Sequence, residues 1–150
     1  MLYPMSKWIT ALSAALLVAC GPQASSQSRE PEDAGPEPRV TVVGDTAFLE
    51  LPIGRTADNG ELRVTLDGVF EDSRCPSGVQ CVWAGNASLR LTLATADESE
   101  VVVVNSTTTP HMAAFEGFVL GFRDLVPYPS STEPLDRAAY VATIWVVDTR

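Results

Sequence analysis

Lysine is nearly missing from this chain. Lys7 is the single one, and the remaining cations are nine arginines against nineteen acids, for a formal net charge of −9. Setting aside the first nineteen residues removes Lys7 and takes the charge to −10. Nucleic acid and polyanionic headgroups are held by clusters of Lys and Arg, so this balance argues against both as partners. Acidity of this size keeps an exported domain soluble and would also steer a basic partner. Histidine is as scarce. His111 stands alone, beside Met112 in a Thr/Pro-rich stretch, where solvent exposure is expected. One histidine supplies neither a cupredoxin ligand set nor a zinc site. No nucleophile elbow is present, and no Ser-His-Asp arrangement is legible. The paired carboxylates Glu71 and Asp72 are adjacent, so on a strand they point to opposite faces, which does not suit glycoside hydrolysis. Asp58, Asn59 and Glu61 lack the ligand number and spacing of a calcium loop and read as a plain turn. No catalytic residue, metal ligand or cofactor is therefore expected, and the chain reads as a non-enzyme. Long hydrophobic runs are missing too. The longest, residues 9–19, has eleven residues and is too short to span a bilayer.

That run has another meaning. It follows Lys7 and ends in Leu17-Val18-Ala19-Cys20, which is similar to the bacterial lipobox, where a signal peptidase cuts before a cysteine that carries diacylglycerol on sulfur. Residues 1–19 are thus expected to be a lipoprotein signal peptide and Cys20 a lipidated N-terminus in the bacterial cell envelope. Gly21 is next, not the aspartate that commonly retains lipoproteins in the inner membrane, so in a Gram-negative cell the outer membrane is favoured. Residues 20–39 hold no aromatic or large aliphatic side chain and read as a disordered tether. As a coil it would hold the C-terminal domain about 25 Å from the membrane.

Of the three cysteines, Cys20 is accounted for by lipid, which leaves Cys75 and Cys81 as a pair. Pro76 and Gly78 between them let the chain double back. In an oxidising compartment the expectation is a disulfide, with Cα atoms roughly 5.5 Å apart. By loop-closure entropy so short a loop contributes about 2 kcal/mol. Trp83 is expected to pack beside it. The C-x5-C spacing does not suit a thioredoxin-like redox pair.

The run Asp72-Ser73-Arg74-Cys75-Pro76, with Cys81-Val82-Trp83-Ala84-Gly85, resembles a signature of small, uncharacterised secreted proteins and lipoproteins of bacteria. In those sequences a later segment resembles Leu125-Val126-Pro127-Tyr128-Pro129, and a terminal strand carries a tyrosine like Tyr140. Both occur here in that order, so the resemblance covers about residues 62–147. It implies no activity.

Residues 40–150 are long enough for one domain with its own core. Leu62, Val64, Leu66 and Phe70 alternate with polar residues, as do Leu89, Leu91 and Leu93. Phe118, Leu120 and Phe122 keep the same period of two, which predicts strands with one face inward. Residues 101–104 form a continuous β-branched run and residues 140–147 are apolar on both faces, so both read as central or doubly covered strands, and residues 39–53 add one or two more around a turn at Gly44-Asp45. Residues 137–139 allow a single helical turn at most. Six to eight short strands predict an antiparallel β-sandwich, immunoglobulin-like in the loose sense, or a small barrel.

The functional expectation is a membrane-tethered binding or structural module of the cell envelope, with an envelope protein or a glycan as partner. The alternative is an inhibitor of a basic periplasmic or external hydrolase. Asp72, Arg74, Gln80 and Trp83 form the expected binding loop, because Arg and Trp lead among binding hot spots and a disulfide-ordered loop loses little further entropy on contact. Against this stands a purely architectural role, in which Arg74 pairs with Asp72 and the motif closes the fold. Asn86-Ala87-Ser88 and Asn105-Ser106-Thr107 match the glycosylation sequon, which means little in a bacterium.

Overall fold

The structure is a computed structural model that describes residues 35–131 and 135–150. The signal peptide, Cys20 and most of the tether lie outside the described residues. The alternating segments form antiparallel strands: β1 (Arg39–Val43), β2 (Thr46–Pro52), β3 (Thr56–Asp58), β4 (Arg63–Asp72), β5 (Ala87–Ala94), β6 (Ser99–Asn105), β7 (Met112–Phe115), β8 (Phe118–Val126) and β9 (Val141–Asp148). One sheet has the order β1-β2-β9-β8-β7 and the other β3-β4-β5-β6. Leu49 and Leu51 of β2, Leu120 of β8 and Ile144 of β9 face Val64 and Leu66 of β4 and Leu89, Leu91 and Leu93 of β5 in one buried cluster. Each buried leucine contributes about 1.5–3 kcal/mol. The fold is an open sandwich, and the barrel alternative is set aside: no ladder joins the two sheets among the described residues.

Nine strands among the described residues exceed the expected six to eight. The additional ones include β3 and β7, three and four residues long, too short to leave a periodic trace. Residues 140–147 fulfil the expectation of a central strand, since β9 is third of five. Residues 101–104 do not. β6 is an edge strand, and Val101 is 51% exposed. A continuous β-branched run signals strand preference, and burial on both faces does not come with it. Phe70 also departs from its expected inward face and is 60% exposed. Register shifts between Leu66 and Gly68 and between Val69 and Glu71 break the period of β4. Its ring lies under the Arg90 guanidinium, 5.4 Å from the centroid. A similar shift between Phe122 and Asp124 turns Leu125 inward and leaves Phe122 half-buried. The turn at 58–62 is held by its own side chains. Asp58 Oδ1 accepts from the Gly60 N–H at 2.7 Å, and Asn59 Oδ1 from the Leu62 N–H at 2.9 Å. The expected single turn forms at Arg137–Ala139, capped by Asp136.

Candidate functional site

Register brings the ends of several strands together at one end of the sandwich. Asp72 pairs with Ala87, Ser88 with Asn105, and Val126 with Val141. The loop 73–86 projects from there. Its base continues the β4–β5 ladder, with the Ser73 N–H donating to Asn86 O at 2.8 Å and the Cys75 N–H to Ala84 O at 3.1 Å. Gly85 permits this narrow base: its φ is +72°, and a Cβ there would lie 1.8 Å from Ser73 O. Beyond the last rung Cys75 and Cys81 form the expected disulfide, with Cα atoms 5.9 Å apart. A parallel bridge ties the loop to the other sheet, where the Ser77 N–H donates to Pro129 O at 2.8 Å.

Arg74 is the centre of this arrangement and is only 7% exposed. Its Nε donates to Asp72 Oδ1 at 2.8 Å and its Nη2 to Asp72 Oδ2 at 2.7 Å, a fork-to-fork pair. Nη1 donates to Leu125 O, and Nη2 also to Pro127 O at 3.0 Å. The guanidinium lies 4.6 Å from the Tyr128 ring centroid. The Tyr140 O–H donates to Asp72 Oδ2 at 2.5 Å. Burial by itself would raise the Asp72 carboxyl, but the bonds from Arg74 and Tyr140 outweigh it and hold the group below its ordinary value of 3.8. Burial and the bond to Asp72 push the Tyr140 hydroxyl up to about 12. Burial would lower the Arg74 value, and the Asp72 carboxylate more than reverses that. The three segments that carry the family resemblance, around residues 72–76, 125–129 and Tyr140, thus meet in one saturated cluster.

A second cluster braces the loop from the side. Asn86 Nδ2 donates to Asn105 Oδ1 at 3.1 Å, and Asn86 Oδ1 accepts from the Thr107 N–H at 3.1 Å. Asn105 Nδ2 donates to Pro110 O at 3.2 Å. Both sequon asparagines are buried.

The expected binding loop therefore divides. Asp72 and Arg74 are turned inward and fully engaged, so they belong to the scaffold and not to a contact surface. Gln80 and Trp83 stay outside. Trp83 does not cover the disulfide as expected: it is 82% exposed, and its neighbour Val82 is 90% exposed. The ladder that ends at Cys75 and Ala84 leaves the apex residues with no layer above them to pack on. Trp83 instead borders a shallow depression of about 390 Å³ with Gly85, Asn86, Thr107 and Thr108. Asn86, Asn105 and the Tyr128 ring are partners that sequence reasoning missed. The available signal was Asn86 and Asn105 at the ends of strands that pair through Ser88 and Asn105.

His111 is exposed, with Nδ1 3.4 Å from Asn105 O. Among the described residues no group of three or more His, Cys, Asp or Glu is placed to hold a metal ion, and no helix is long and apolar enough to cross a membrane. At the opposite end Arg150 pairs with Glu61 and, at 2.8 Å, with Asp148, and its side chain holds the exposed Asp148 carboxyl down at about 2. Comparison of the chain with protein-family models, with curated proteins and with solved structures finds no match in any of the three, so its function is argued from these residues alone.

Proposed function

We propose that the chain is a lipid-anchored module of the bacterial cell envelope that contacts another envelope component through the apex of its disulfide-closed loop. The observation that supports this most directly is the pair Val82 and Trp83, 90% and 82% exposed on a loop that is otherwise tied down at every rung. An apolar apex left in water on a rigid base is the usual form of a contact surface, because loops on a fixed scaffold carry binding residues and tryptophan leads among hot spots. The lipobox-like ending at Cys20 supports the anchor.

Two substitutions test the reading. Cys20→Ser is expected to shift the protein from the membrane fraction to an uncleaved or soluble species, read by fractionation and by mass spectrometry of the N-terminal peptide. Wild-type fractionation of that variant defeats the anchor. Trp83→Ala is expected to reduce retention of envelope components by the full-length protein at an unchanged melting temperature. A lower melting temperature with full retention by the folded fraction assigns Trp83 to the fold instead.

A further inference from the structure

The apex shares its end of the sandwich with the point where the anchor's tether joins the domain. Pro36, Glu37 and Arg39 line one depression with Val126 and Val141. From Val126 the chain leads through Tyr128 to the bridge between Ser77 and Ser130, and so to the apex. Fifteen peptide units separate Cys20 from Gly35, at most about 50 Å when fully extended. A lipid on Cys20 would hold the domain within that distance of the bilayer, attached by this end.

The loop apices gathered there carry no formal charge of their own. Residues 75–86, 106–111 and 125–131 contain no Asp, Glu, Lys or Arg, in a chain whose formal charge is −9. The charges at this end lie beside the apices: the buried Asp72–Arg74 pair, and Glu37, Arg39, Asp136 and Arg137, which are exposed. The large hydrophobic side chains exposed there are Val79, Val82, Trp83, Val126 and Tyr128, among exposed polar residues such as Gln80, Thr107 and His111. Polar groups beside Trp83 point elsewhere. Asn86 spends its amide on Asn105 and Thr107, the Ser73 hydroxyl donates to Glu71 at 2.9 Å, and the Thr107 hydroxyl donates to Gly85 O at 2.7 Å.

We infer that this loop end rests on the phospholipid bilayer itself, with Trp83 and Tyr128 at headgroup level and Val82 dipping below them. Tryptophan and tyrosine favour that depth because one part of the ring is apolar and the other wet. Shallow burial of apolar side chains adds to the lipid anchor as a second, weaker membrane signal. The contact does not depend on basic residues, so salt does not weaken it.

This inference rests on the anchoring reading above, and the test separates the two. The full-length lipidated protein is reconstituted into vesicles of phosphatidylcholine and phosphatidylethanolamine, some with bromine on the upper acyl carbons. N-terminal mass spectrometry establishes the lipid first. Trp83 emission is then expected to shift to the blue and to be quenched by the brominated lipid, equally at low and high salt. Trp83→Ala removes the quenchable component and leaves the emission of Trp145. Tyr128→Ser with Val82→Ser shallows the depth at which Trp83 is quenched. A lipidated protein with unquenched Trp83 overturns the bilayer contact and leaves the anchor standing, as does Trp83 shielded only when a second envelope protein is added. A chain without lipid removes the anchor and this inference together.

Discussion

Arg74→Ala is expected to lower the free energy of unfolding by about 3–5 kcal/mol, the range for breaking a buried ion pair by removing one partner. The loss comes from the groups left behind. Asp72, with its side chain 2% exposed, keeps a charge without its cation, and the carbonyls of Leu125 and Pro127 lose their donors. Arg74→Lys should recover only a small part, because an ammonium cannot serve Asp72 as a fork while reaching both carbonyls. Urea melts of the three proteins decide the matter, and an Arg74→Ala midpoint close to wild type would show the cluster to be ornamental.

The same cluster sets a pH window. The Asp72 carboxyl is depressed in the fold, so its contribution is complete above its ordinary value of 3.8 and is lost as pH falls through the lower folded value. The Tyr140 hydroxyl is raised, so its contribution is complete below 10.0 and is lost as pH rises toward about 12. Tyr140→Phe is expected to abolish the alkaline loss and to shrink the acid loss without removing it, because Arg74 still holds Asp72 down; urea melts across pH read both.

Gly85→Ala is the other large effect. The added Cβ meets Ser73 O at 1.8 Å and Arg74 Cα at 2.9 Å, both backbone atoms that cannot rotate aside. The left-handed conformation alone costs roughly 1 kcal/mol for a residue with a side chain. Relief of the clash must also open the Ser73–Asn86 and Cys75–Ala84 rungs and pull Arg74 from its partners. A total loss of about 3 kcal/mol or more is expected. Gly68→Ala is the control, because nothing lies within 4 Å of its Cβ and its φ is not left-handed. Equal melting curves for the two variants would contradict the geometry.

The strands with sustained alternation could be read from residue order, because a period of two over Leu89, Leu91 and Leu93 fixes which face is inward. The bulges of β4 and β8 could not, since each inserts a residue without changing the composition, and so Phe70 left the inward face expected of it and Phe122 is only half-buried. Edge position was equally hidden: the run 101–104 has the same residues whether or not a further strand lies beside it. At the candidate site, the pairing of Asp72 with Arg74 was visible as near neighbours in sequence. Their burial depends on Leu125, Tyr128 and Tyr140, 51 to 68 residues away, which only the sandwich brings near. Trp83 was misplaced because an aromatic beside a cysteine pair suggests packing, while the outward course of the ladder leaves nothing to pack on.

The paired amides of Asn86 and Asn105 bear on how the protein can be made. In a eukaryotic secretory host, oligosaccharide is transferred to sequons on the nascent chain before a domain has closed. Both asparagines would be acceptors while the chain is extended, yet in the folded state each amide nitrogen is a buried donor, one to the other residue and one to Pro110 O. A sugar on either nitrogen would occupy the space between the disulfide loop and the end of β6. Material from such a host would arrive with the loop end sprung open, whereas expression in an oxidising compartment that does not glycosylate asparagine would leave both amides free to pair.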